Sequence, residues 1–136
     1  MIMMVDDEVR RMDAYRLELQ DVGYHVELYK DVDAALEALT ANLPQVQLLI
    51  LDVMMSPGRA FRDLDTQDGL RTGERFYEHV RSLSADLSVI FLTNVSDPSF
   101  ARKYQGKRHC KLLRKEDYQP FELADEVRRI IGPPQT

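Results

Sequence analysis

Short apolar runs alternate with amphipathic segments along the chain. Residues 2–5 form the first run and stop abruptly at Asp6-Asp7-Glu8. Val9, Met12, Leu19 and Val22 then recur at near-helical spacing and end at Gly23, a natural helix stop. Residues 24–29 alternate like a half-buried strand; Ala34, Ala35, Leu36, Ala38 and Leu39 predict a helix, and Pro44 closes the region. Residues 46–53 are a second apolar strand, interrupted only by Gln47 and by Asp52 near its end. A polar stretch from Ser56 to about Gln67 has no periodicity. A helix from Asp68 or Thr72 to Ser82 follows, with Leu70, Phe76, Tyr77 and Val80 expected inside. Residues 88–92 predict another strand, stopped at Thr93-Asn94. Asp97-Pro98 opens a short helix, with Asp97 placed to cap it and Pro98 at its first position. Leu112 and Leu113 mark a last strand ending near Lys115, and residues 121–131 a closing helix that buries Phe121, Leu123, Val127, Ile130 and Ile131.

Five strands alternating with five helices predict an α/β domain with a parallel sheet, and strands with little alternation predict a sheet covered on both faces. In such sheets the binding crevice lies beyond the carboxyl ends of the strands. The residues at those ends are Asp6 and Asp7 after the first strand, Asp52 after the third, Thr93 after the fourth and Lys115 after the fifth. Crowded carboxylates repel one another, and a hard divalent cation resolves this because it prefers oxygen ligands. Mg²⁺, or Mn²⁺, fits such a crevice. An ammonium pairs well with a phosphoryl oxygen and a hydroxyl donates to a second. Phosphoryl transfer asks mainly for positioning and charge stabilisation, so Asp52 is the natural nucleophile, able to form an aspartyl-phosphate. Taken singly, each residue has a local reading: Asp7 as a helix cap, Thr93 as a partner for nearby backbone, Lys115 as a solvated cation. Their convergence carries the functional reading.

Composition narrows the class. At 136 residues the chain has material for one domain with a proper core, and 44% hydrophobic residues with a mean hydropathy of −0.37 describe a folded, soluble protein. A net charge of −5 argues against a nucleic-acid-binding surface. The single Cys110 forms no internal disulfide, no apolar run approaches a membrane span, and no basic leader precedes an apolar segment, so the cytoplasm is the expected compartment. The domain is expected over residues 1–131, with residues 132–136, Gly-Pro-Pro-Gln-Thr, as a flexible tail. His25, His79 and His109 lack metal-ligand spacing. Lys103, Lys107, Arg108, His109, Lys111, Arg114 and Lys115 form a basic stretch, read as a solvated face ahead of a dock for an acidic partner.

The strings Val5-Asp6-Asp7-Glu8, Leu49-Ile50-Leu51-Asp52-Val53-Met54-Met55, Phe91-Leu92-Thr93 and Leu112-Leu113-Arg114-Lys115 resemble those of the receiver domain of two-component response regulators, over nearly the whole chain. That resemblance implies a flavodoxin-like, doubly wound five-stranded parallel sheet of order 2-1-3-4-5. It implies that Asp52 receives a phosphoryl group from a phosphohistidine on a sensor histidine kinase or a phosphotransfer protein. Asp7 and the backbone carbonyl of Met54 would bind Mg²⁺ together with Asp52, Asp6 would help through water, and Thr93 and Lys115 would meet the phosphoryl oxygens. The face of the fourth helix, fifth strand and fifth helix would be reshaped for a downstream target or a second copy. Such a domain assists its own phosphorylation and dephosphorylation without being a turnover enzyme.

Four departures from the receiver pattern stand out. Ser56 holds the place of the usual proline, Pro57 follows, and Asp68-Gly69 arrives late, so residues 58–65 look inserted beside the acceptor, a loop read as flexible surface ahead of a gate or partner site. Asn94 replaces a small residue after the threonine. Glu116 replaces the proline after Lys115, which makes a cis peptide there unexpected. Leu112 stands where a switching aromatic is common, with Tyr104 and Tyr118 as substitutes expected instead to serve packing.

Three rivals remain in view. A haloacid-dehalogenase-like phosphatase needs a second acid two residues after the nucleophile, where this chain has Met54. A flavin- or nucleotide-binding domain needs a glycine-rich loop after the first strand, where Asp6-Asp7 would repel phosphate. A phosphorylation-independent receiver-like interaction module keeps the fold without the chemistry. One expectation follows from Asn94: its amide hinders an attacking water or donates to the phosphoryl group, so Asn94→Ala loses the group faster than the parent. Decay of the phosphorylated mass after donor removal reads this directly, and equal or slower decay in Asn94→Ala contradicts it.

Overall fold

The computed structural model describes residues 1–67 and 69–135; Asp68, one of the two starting points for the third helix and half of the Asp68-Gly69 pair, lies outside them, as does Thr136 of the tail. The strands are β1 (Ile2–Val5), β2 (Val26–Tyr29), β3 (Leu48–Leu51), β4 (Ser88–Thr93) and β5 (Cys110–Arg114). The helices are α1 (Val9–Val22), α2 (Val32–Asn42), α3 (Thr72–Leu83), α4 (Pro98–Tyr104) and α5 (Pro120–Ile131). All strand pairs are parallel and the order is β2-β1-β3-β4-β5, the flavodoxin-like arrangement.

Period-two side-chain direction splits each strand between two cores. Met3, Val5, Leu49, Leu51, Val89 and Phe91 face the layer of α2, α3 and α4. Ile2, Met4, Leu48, Ile50, Ile90, Leu92 and Leu113 face the layer of α1 and α5. Because both faces are covered, the central strands β1, β3 and β4 read as apolar runs, while the edge strands β2 and β5 carry polar residues.

The helix boundaries follow local chemistry. Gly23 stops α1 in the left-handed region, at φ 119°. Asp31 caps α2 by accepting from the N–H groups of Asp33 and Ala34, and Asp97 caps α4 through Ser99. Gln119 and Glu122 form a capping box at α5. Two expected core residues are outside. Leu70 precedes α3 in a turn and is 51% exposed; Phe121, in the first turn of α5, is 58% exposed while Leu123 and Val127 take the buried face.

The inserted segment is tied down. The Met55 N–H donates to the Gly69 carbonyl, clasping the base of the loop, and Gly69 at φ 89° leaves no room for a Cβ beside the Met55 carbonyl. At the tip, Asp33 accepts from the N–H groups of Arg59 and Ala60, both at 2.8 Å. Phe61 is buried edge-on against Phe76. These contacts replace the flexible surface loop expected from its polarity. At the opposite end of the molecule, the Tyr24 hydroxyl donates to the Gly132 carbonyl at 2.6 Å.

Glu74, in the first turn of α3, is buried. It pairs with Arg71 and with Lys103 at 3.3 Å, and accepts from the Tyr104 hydroxyl at 3.0 Å. Burial alone would raise the Glu74 carboxyl, but the Arg71 and Tyr104 hydrogen bonds outweigh it and hold the group below its ordinary value. Tyr104 itself is packed among Tyr77, Phe91 and Phe100, so α3 and α4 share one aromatic and ionic joint. Tyr104→Phe removes one donor to a buried carboxylate and should destabilise the fold by about 1–3 kcal/mol. Urea denaturation of the two proteins checks this; an unchanged midpoint contradicts it.

Candidate functional site

Strand register assembles the site. Val5 pairs with Leu51, so Asp6 and Asp52 leave adjacent strands side by side, and the Asp52 N–H donates to the Val5 carbonyl at 3.0 Å. Leu51 pairs with Phe91, and β4 runs on to Thr93, which pairs with Arg114 immediately before Lys115. Asp6, Asp7, Asp52, Thr93 and Lys115 therefore gather at one end of the sheet.

Carboxylate oxygens of Asp6, Asp7 and Asp52 lie within 4.8 Å of one another. Asp6 and Asp52 are buried and Asp7 is exposed. Asp6 Oδ1 accepts from the Glu8 N–H at 2.8 Å, so Asp6, not Asp7, turns the chain into α1. Lys115 Nζ is 2.8 Å from Asp6 Oδ2 and 3.5 Å from Asp52 Oδ2, with its side chain 8% exposed. Asp6 Oδ2 is thereby ion-paired with the Lys115 ammonium. Asp52 Oδ1 accepts from the Val53 N–H at 2.8 Å.

One ammonium does not balance this charge. Burial, and then the Asp6 carboxylate, push Asp52 up to about 6 against the opposing pull of Lys115, the Val53 N–H and the Thr93 hydroxyl. Asp7 is also raised, by burial first and Asp6 second, although the Ser56 backbone N–H draws it down. The folded-state value for Asp52 exceeds the unfolded one, so its ionisation costs stability as pH rises from about 4 to 6.

The chemistry of the donor set fits a hard cation: three clustered carboxylates supply oxygen ligands, and one ammonium leaves their negative charge in excess. No described backbone N–H reaches the Met54 carbonyl, while the Met54 side chain is 47% exposed. Thr93 is buried and its Oγ1 accepts from the Val95 N–H at 3.2 Å, which leaves its own proton to donate. Asn94 is exposed on an open recess of about 390 Å³ lined also by Arg11, Tyr15, Lys115 and Glu116.

Leu112 packs against the core from β5; Tyr104 is held by Glu74, and Tyr118 lends its carbonyl to the Tyr15 hydroxyl. All described peptide bonds are trans, including that before Glu116. Most of the basic stretch is engaged internally: Lys103 with Glu74, Lys111 with Glu126, Arg114 with Glu116, Lys115 with Asp6, and Lys107 over the Tyr104 ring. Its positive charge neutralises neighbouring acids, which the one-dimensional pattern does not show. The histidines join no metal-ligand cluster among the described residues.

Gly73 was not singled out by sequence reasoning. Its N–H donates to the Val53 carbonyl at 2.9 Å, and a Cβ there would stand 2.0 Å from the Asp52 carbonyl oxygen. The start of α3 is thus pressed against the backbone that aims Asp52. A glycine in a helix's first turn just after the polar stretch was the available signal.

No protein-family model matches the chain, and no curated protein sequence matches it. Solved structures do. A response regulator receiver domain protein from Clostridium thermocellum matches with a TM-score of 0.74 at 20% identity, covering 96% of this chain and 93% of that one. The receiver domain of NtrX from Brucella abortus matches at 0.71 and 23% identity, covering 96% and 98%. The DrrB receiver domain in its BeF3-activated form matches at 0.69 and 22% identity, covering 95% and 94%. The chain has the fold of response regulator receiver domains over nearly its full length.

The close approach at Gly73 generates a test. Gly73→Ala should cost about 3 kcal/mol of stability, since the added carbon meets backbone that cannot rotate away. Chemical denaturation measures it; a parent-like midpoint would mean that α3 is not seated on the strand that leads to Asp52.

Proposed function

We propose that this chain is a phosphorylation-activated receiver in a two-component phosphorelay, with Asp52 as acceptor. The observation that carries this reading is the Asp6, Asp7 and Asp52 cluster at the carboxyl end of the sheet, faced by a single ammonium that does not neutralise it. Its donor would be a phosphohistidine of a sensor histidine kinase or a phosphotransfer protein. Mg²⁺ or Mn²⁺, held by Asp7, Asp52 and the Met54 carbonyl with Asp6 assisting through water, would supply neutralisation of phosphoryl oxygen charge.

The chain's own groups do the rest. The Val53 N–H engages Asp52 Oδ1, so Oδ2, which now faces the Lys115 ammonium at 3.5 Å, is the oxygen that would act as nucleophile. As its bond to phosphorus forms, the phosphorus–nitrogen bond of the donor breaks and its electron pair leaves with the imidazole nitrogen. Lys115, now beside both Asp6 and Asp52, is within reach of a phosphoryl oxygen, and Thr93 can donate to another. Movement of Thr93 would pass to α4 through the segment from Asn94 to Asp97 and reshape the α4, β5 and α5 face for a target or a second copy. Met54 offers no second acid for turnover hydrolysis, which supports an assisted switch in place of an enzyme. Among the described residues no helix is long and apolar enough to cross a membrane, in keeping with a cytoplasmic setting.

Incubation with acetyl phosphate and Mg²⁺ tests the reading by intact mass. The parent should gain one phosphoryl mass, Asp52→Ala none, and chelation of the metal should abolish the gain. No gain in the parent across metals and donors would favour a phosphorylation-independent interaction module. Sustained turnover of a generic phosphomonoester would favour a hydrolase.

A further inference from the structure

Lys115 must hold its ammonium between Asp6 and Asp52, yet it lies where regular structure has ended. β5 stops at Arg114, and residues 115–117 form a single 3₁₀ turn with no side-chain cap. Its closing bond, from the Tyr118 N–H to the Lys115 carbonyl, is long at 3.4 Å. The segment also borders the open recess lined by Arg11, Tyr15, Asn94 and Glu116. An ammonium paired with two acids cannot by itself fix the backbone that carries it, because a lysine side chain has many rotamers.

What fixes that backbone comes from 100 residues away. The Tyr15 hydroxyl, on α1, lies 2.7 Å from the Tyr118 carbonyl and 3.2 Å from the Lys115 carbonyl, so its one proton is shared between the two ends of the turn, chiefly with Tyr118. The Tyr15 ring is buried in the core between the sheet and α1 and α5, so the hydroxyl projects from a rigid base. We infer that Tyr15 is the positioning residue for Lys115, its hydroxyl clamping the turn after β5 so that the ammonium stays on the acceptor site. This rests on the receiver reading for its chemical consequence, although the clamp itself can be read without it.

Tyr15→Phe keeps the buried ring and deletes only the hydroxyl. Tyr24→Phe is the matched control, because it removes a similar hydroxyl-to-carbonyl bond at the far end of the molecule. Two readouts are taken. In the first, an amine-reactive reagent is followed by peptide mass spectrometry, with Lys111 as internal reference. Lys115 should label about tenfold faster in Tyr15→Phe, the equivalent of one lost hydrogen bond, and at the parental rate in Tyr24→Phe. In the second, uptake from acetyl phosphate should slow by about tenfold in Tyr15→Phe and show no further loss when the same change is added to Lys115→Ala. Parental labelling of Lys115 in Tyr15→Phe, or an equal rise in Tyr24→Phe, overturns the inference. Parental uptake by Tyr15→Phe overturns it too, as does a full additional loss in the Lys115→Ala background. A parent that takes no phosphoryl group defeats the receiver reading alone, and the labelling then decides the clamp.

Discussion

Three carboxylates forced together at the end of a sheet against one ammonium form the constraint on which this molecule turns. Asp6 and Asp52 are buried where water cannot screen them, and Lys115 reaches both without neutralising the set that Asp7 completes. A fold aiming only at stability would remove such a cluster, because buried unbalanced charge is costly. Its retention is intelligible if another charge-bearing group, a hard cation with a phosphoryl oxygen, enters the balance.

The surrounding structure keeps this strained arrangement in place. Parallel register sets Asp6 beside Asp52, and close packing of Gly73 against the backbone of Asp52 and Val53 stiffens Asp52 from behind. From there α3 leads to Glu74, whose carboxylate is shared by Arg71, Lys103 and Tyr104, so the support behind Asp52 and α4 are joined through one buried acid. That joint gives the helix next to Thr93 a definite resting position. Tyr15 gives the turn that carries Lys115 another.

The loop between Met55 and Gly69 lies beside Asp52 and is held closed. Its base is clasped at Met55 and Gly69, its tip is held by Asp33, and Phe61 enters the core. Ser56 brings its backbone N–H to Asp7, so the start of the insertion is itself part of the electrostatics of the site. Leu64 and Leu70 remain exposed on this segment.

The fold was legible in the chain because apolar runs, caps and glycine stops are local signals. Five strands, five helices, Gly23 as a stop and Asp97 as a cap all follow from neighbours in sequence, and strand ends alone point to Asp6, Asp7, Asp52, Thr93 and Lys115. Burial at element margins was less legible: Leu70 and Phe121 have the right chemistry for a core, but a turn and the rotation of α5 put them outside. The pairing of Lys103, Lys107, Lys111 and Arg114, the closed loop around Phe61, the seat of Gly73 and the reach of Tyr15 to Lys115 depend on contacts between distant segments. No local pattern encodes such contacts. Sequence by itself determined which chemical groups the strand ends carry; only the tertiary structure decided how those groups are held, because holding is done by residues far along the chain.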